Sequence, residues 1–220
     1  MDGIGLACRE LATPVVSGNV SLYNQTDGVS IAPTPMIGMV GRHEDIRQAL
    51  PAVLKDQGFL YVLRPKACQP SFGGSLVAKV LGLPPTSEGV PSIDWQQEKE
   101  AAGLIHNLMK QGQLQAARDV GAGGILTTAV KMTLAHDKLG LRIQLKTSPA
   151  EAAATWFGES SGTYILASKK ALDLASLNKN LKHSEVLVLG EAVPGSDIQF
   201  DGKVVNRQQL DERSAASLNI

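Results

Sequence analysis

Aromatic residues are scarce in this sequence, 4% of 220 positions. A core with so few large rings has to close on small side chains and tight turns, as α/β enzymes often do, and 22 glycines are available for that. Cysteine is nearly absent. Cys8 and Cys68 have no metal-ligand or redox spacing, which excludes a disulfide framework and points to a reducing compartment, the cytoplasm. Net charge is zero, from 21 basic and 21 acidic residues, so no nucleic acid or membrane surface is held by bulk electrostatics. A local phosphate pocket stays possible. No run of about 18 apolar residues is present, and the first residues lack the basic region and apolar core of a signal peptide. Also missing are a nucleophile elbow, a zinc pattern and a triad signature. His43, His106, His136 and His183 stand far apart and read as surface or capping residues.

The chain has the length for one large domain, or for one domain and a piece of another. Ile4, Leu6, Ala7 and Leu11 mark a short helix that Thr13-Pro14 ends, and Val15-Val16 reads as a brief strand. So abrupt a start suggests a truncated domain. The prolines of residues 31–35 mark an extended connector and the expected domain boundary. Met36 to Val40 reads as an apolar strand. Residues 43–56 have helical spacing interrupted by Pro51, and Phe59 to Leu63 reads as a buried strand. Residues 69–74 and 83–91 read as loops, with a helix over 76–81 between them. Ala101, Leu104, Ile105, Leu108 and Met109 form the stripe of an amphipathic helix over 98–111. A second helix is predicted from Gly124 to about His136. Leu141 to Leu145 alternates as a half-buried strand, and residues 164–167 and 186–189 read as strands. Asp201-Gly202 signals a hairpin turn. Strands alternating with helices predict an α/β layered domain.

Three segments carry chemistry. Ser17-Gly18-Asn19-Val20-Ser21 follows a strand. Its glycine lets a backbone N–H approach a phosphate, its Asn carbonyl suits Mg²⁺, and its serines can hydrogen-bond phosphate or substrate. The same composition also suits a polar turn. Asp119 to Gly124 is a glycine-rich turn before a helix, a ready anion site without the Gly-Lys-Ser/Thr of a phosphate loop. Asp119 reads either as a metal ligand or as a cap for that turn. In Trp156 to Gly162, Glu159 suits Mg²⁺ and Ser160 suits phosphate. The alternative is a capped loop with a solvated carboxylate.

Taken together, these segments resemble one family. Pro14 to Asn24, including Ser17-Gly18-Asn19-Val20-Ser21-Leu22-Tyr23, closely resembles a motif of the phosphoribosylformylglycinamidine synthase synthetase chain. Pro33 to Gly41 resembles the stretch that follows it, and Gly73-Gly74-Ser75, Asp119 to Gly124 and Phe157 to Ser160 keep the family's order and similar spacing. The family belongs to the aminoimidazole-ribotide-synthetase-like superfamily, whose two-domain unit occurs twice in this synthetase. The resemblance implies the end of a second nucleotide-binding N-terminal domain over 1–33. It implies the second C-terminal α/β domain, a mixed sheet with helices, over 34–220.

The implied parent reaction uses ATP to activate the formamide oxygen of formylglycinamide ribonucleotide. Ammonia from a glutaminase subunit then displaces phosphate, in a complex that also holds a small accessory subunit. By position, Gly18 is implied at ATP, Asn19 on Mg²⁺ and Ser21 at the substrate. The family's catalytic histidines, its Mg²⁺ carboxylates and its ATP-binding Tyr and Lys belong to the first unit, which this chain does not resemble. Asp119, Glu159 and Ser160 fall in the second, pseudo-symmetric unit. There Ser161 replaces the usual Gln, and Gly162-Thr163 replaces a stretch where a charged residue is common, so a degenerate or structural site is implied. The fragment alone is expected to be inactive. Other superfamily enzymes, such as relatives of selenophosphate synthetase or thiamine-phosphate kinase, lack the long first motif. A non-catalytic assembly module remains the reading of a different class.

Overall fold

A computed structural model of the chain describes residues 2–21, 24–32, 34–67, 70–84, 89–136 and 138–217, residues 214–217 by backbone alone. Leu22 and Tyr23 of the first motif, Pro33 of the connector, Cys68, Gln69 and residues 85–88 of the second loop lie outside these. Two compact units are present, Met1–Ile46 and Arg47–Ile220.

In the first unit, helix α1 (Asp2–Glu10) forms as its apolar spacing predicts. Strands β1 (Gln25–Thr26) and β2 (Val29–Ser30) make a small hairpin around Asp27-Gly28, both at positive φ. The Asp-Gly pair is the usual signal for such a turn, and it went unread in the sequence. The strand expectations at Val15-Val16 and at Met36 to Val40 are not met. Both stretches are irregular, with Val16 92% and Val40 99% exposed. An apolar run becomes a strand only where a neighbouring strand takes up its N–H and C=O groups, and among the described residues none does.

The helical spacing of residues 43–56 gives only a 3₁₀ turn, Ile46–Gln48, at the point in the sequence where the first unit ends and the second begins. Strand β3 (Gly58–Pro65) follows, then helices α2 (Leu76–Val80) and α3 (Trp95–Lys110) and strand β4 (Ala116–Asp119). Helix α4 (Gly124–Thr133), strand β5 (Leu139–Ile143), helix α5 (Ala152–Phe157) and strand β6 (Tyr164–Ser168) come next. Helix α6 (Leu174–Asn180), strands β7 (Ser184–Pro194), β8 (Ile198–Phe200) and β9 (Lys203–Val205), and helix α7 (Arg207–Ser217) complete it. Among the described residues one sheet holds seven strands, in the order β4-β6-β3-β7-β5-β8-β9. Only β5 and β8 pair in parallel, so the sheet is mixed.

The sheet separates two apolar clusters because strand side chains alternate between its faces. From β3 and β6, Leu60, Val62, Ile165 and Ala167 meet Ile125, Ala129 and Met132 of α4 and Trp156 of α5. On the other face Tyr61, Leu63 and Leu166 meet Ala101 and Leu108 of α3, with Leu174 and Leu177 of α6 alongside. Asn178 fastens α6 to β7 through both of its amide atoms, at 2.9 and 2.7 Å from the backbone of Val186. Helix α3 begins earlier than its apolar stripe, because the Asp94 carboxylate accepts from Gln96 N–H and Gln97 N–H at 2.9 and 3.2 Å. Among the described residues no helix is long and apolar enough to cross a membrane.

Candidate functional site

Three of the segments read from the sequence converge beyond the ends of β4 and β6. Strand β4 runs into the turn at Gly121, where Gly124 N–H donates to Gly121 C=O at 3.0 Å and α4 begins. Gly124 has φ +73°, and a Cβ there would stand 2.7 Å from the backbone of Phe157, so this helix start and the end of α5 require glycine. From α5 the chain passes through Gly158 and Glu159. Ser71 and Glu159 then pair as an isolated antiparallel bridge, with N–H···O distances of 3.2 and 2.9 Å. Ser71 leads to Ser75, which caps α2 by accepting from Ala78 N–H at 3.1 Å.

The Glu159 side chain joins these pieces. Its Oε1 accepts from Leu76 N–H at 2.9 Å and from Gly123 N–H at 3.0 Å. Ser160 Oγ lies 2.8 Å from Thr163 Oγ1, and Val120 N–H donates to Thr163 C=O at 2.8 Å, which ties this loop to β4. Gln97 of α3 is 1% exposed and donates to Gly162 C=O at 2.8 Å. The sequence did name the apolar stripe of α3, and Gln97 lies one turn before Ala101 on it, which was the signal for its burial. A cavity of about 560 Å³ opens beside the loop, with Ser71, Ser92, Gln97, Ser160, Ser161 and His183 on its wall.

Asp119 stays apart from this knot. It closes β4 opposite Tyr164 and is exposed, and the position before α4 belongs to Gly123, which makes no side-chain cap. The capping role expected of Asp119 is therefore not present: a carboxylate at a strand end, four residues before Gly123, does not stand where helix amides point. Its charge is felt instead by Tyr164, whose hydroxyl is pushed up by burial, then by the carboxylates of Glu98 and Asp119. Glu98 is itself raised by burial and by Asp94. Glu159 is half-buried and backbone-bound, so the expectation of a solvated loop carboxylate is also replaced. Among the described residues no group of three or more His, Cys, Asp or Glu could hold a metal ion.

About one turn further along α3 from Gln97, Glu100 binds a second cluster of amides. It accepts from Lys182, His183 and Ser184 N–H at 2.7, 3.0 and 2.7 Å. Burial pushes its carboxyl up, but these hydrogen bonds outweigh that and hold it below the usual carboxylate range. His43 and His106 are exposed, and His183 Nδ1 lies 3.5 Å from Asp94. Gly18, Asn19 and Ser21 belong to the first unit, where all three are exposed and, among the described residues, unpaired.

Comparison with known proteins decides the family. Residues 72–203 match the family described as AIR synthase related protein, C-terminal domain. The chain belongs to that family. It is 43% identical to the phosphoribosylformylglycinamidine synthase subunit PurL of Sulfurovum sp. (strain NBC37-1), over 67% of this chain and 20% of the relative. The subunit of the same name from Staphylococcus epidermidis is 34% identical over 94% of this chain and 27% of the relative. The chain thus spans about a quarter or less of the curated relatives it matches. Among solved structures, T. maritima PurL complexed with FGAR superposes with a TM-score of 0.59 at 16% identity, over 75% of this chain and 30% of that one. T. maritima PurL complexed with ATP gives 0.56, also at 16%. These likenesses agree with the mixed-sheet α/β fold described above.

Proposed function

We propose that this chain supplies part of an ATP-dependent phosphoribosylformylglycinamidine synthase, a ligase of purine biosynthesis. In this reading residues 1–33 end a nucleotide-binding domain and residues 34–220 form the C-terminal domain of the second unit. The observation that carries it is likeness to named synthase subunits along 94% of the chain, while only 27% of such a relative is spanned. The substrates are ATP, formylglycinamide ribonucleotide and ammonia delivered by a glutaminase subunit, with a small accessory subunit completing the complex.

In that assembly Gly18 offers backbone N–H to ATP, Asn19 gives its amide oxygen to Mg²⁺, and Ser21 meets the ribonucleotide. Their exposure and lack of internal partners among the described residues suit groups whose partners are ligands. A single neutral oxygen fits a one-ligand share of a Mg²⁺ site, with phosphate oxygens, water and residues of another unit as the rest. A Mg²⁺ held in part by Asn19 would supply charge neutralisation for phosphoryl transfer.

A chimera tests the assignment. This sequence replaces the aligned region of the Staphylococcus epidermidis subunit, and ADP formation dependent on formylglycinamide ribonucleotide is measured. The chimera is expected to turn over, and Asn19→Ala in it to lower kcat/KM on the order of tenfold or more. A folded, active chimera that is indifferent to Asn19→Ala and Ser21→Ala would remove these two residues from the site.

A further inference from the structure

Two N–H groups from different segments converge on one anionic oxygen. Gly123 N–H comes from the turn that opens the ten-residue helix α4, where Gly123 has φ +85° and no side-chain cap exists. Leu76 N–H comes from the first residue of α2. Both reach Glu159 Oε1, at 3.0 and 2.9 Å. The backbone of Glu159 is fixed independently by its two-way pairing with Ser71. Directed amides at a helix start make a site for an oxyanion, and a carboxylate there forms charge-assisted bonds. In this chain the oxyanion is already part of the protein.

We propose that Glu159 is an internal anion: a positioning residue whose carboxylate fills this donor pair and holds the Gly121–Gly124 turn against the start of α2. The same donors are thereby closed to an outside carboxylate. Removing the side chain leaves a specific oxyanion vacancy, not simply a looser loop. The assignment rests on contacts within this chain and stands whatever reaction the parent enzyme performs.

Amide hydrogen exchange in the 220-residue chain tests it. In Glu159→Ala, exchange at Leu76 and Gly123 is expected to quicken about tenfold, the loss of roughly one charge-assisted hydrogen bond, while Ile165 and Leu166 in β6 keep their rates. Sodium acetate, matched in ionic strength by sodium chloride, is expected to slow both amides again; a purely structural loss would not respond to acetate. Unchanged rates at both amides, or equal responses to acetate and chloride, overturn the proposal. Should Glu159→Ala fail to fold, Glu159→Gln carries the test, since it keeps an oxygen without the charge. Faster exchange at both amides supports the proposal, and rates equal to wild type overturn it.

Discussion

Glu100 and Glu159 each work on backbone amides across a long stretch of sequence. Glu100 gathers three N–H groups between Lys182 and Ser184, and Glu159 gathers those of Leu76 and Gly123. No spacing rule in the sequence announces such bonds, because their partners are main-chain groups without residue identity. This is why the backbone partners of Glu159 are not visible in its sequence, where it reads as a metal ligand or as the solvated carboxylate of a capped loop. The capping reading of Asp119 fails for a related reason: a carboxylate before a glycine turn looks like a cap, and only the strand register shows it opposite Tyr164. The Glu100 cluster carries a pH prediction. Its folded carboxyl lies below the ordinary value of 4.5, so its stabilisation is complete above that value and is lost as pH falls through the lowered one. Glu100→Ala is expected to cost about 1–2 kcal/mol at pH 7 in urea unfolding, and progressively less as pH falls below 4.5. A cost that stays constant with pH would show that the charge on Glu100 plays no part.

The elements that were legible in the sequence are those buried by their own pattern. The stripe of α3, the apolar run of β3 and the Asp201-Gly202 turn stand where the residues put them, and burial alternates from Leu141 to Leu145 as read, though the strand itself is Leu139–Ile143. Val15-Val16 and Met36 to Val40 are equally apolar but have no pairing strand among the described residues, and they stay irregular. Helices α5 and α6 were not read, since each is short and the sequence gives too few turns to establish a period. Glycine separates two kinds of helical position. Gly103, inside α3, has nothing within 4 Å of an added Cβ, so Gly103→Ala is expected to raise stability by about 0.5–1 kcal/mol. Gly124 has a left-handed φ and the Phe157 backbone against it, so Gly124→Ala is expected to cost about 2 kcal/mol or more. Denaturant midpoints for the pair check both signs. A neutral Gly124→Ala would mean that the turn and α5 separate easily.

At the scale of the molecule, the second unit carries its own two-faced core, while the first unit exposes the motif with the strongest chemical character. That motif stands out through its resemblance to the synthetase family, since its residue types by themselves also suit a polar turn. The proline-rich connector lies at residues 31–35, and the two compact units meet in sequence between Ile46 and Arg47. The central claim is that this chain holds one edge of an ATP-dependent synthase site and lacks the rest. It is tested most directly by incubating the purified 220-residue chain with ATP, Mg²⁺, ammonia and formylglycinamide ribonucleotide, and measuring phosphate release and amidine formation. The account predicts no turnover above the protein-free control. Ribonucleotide-dependent release of phosphate with formation of the amidine would contradict it.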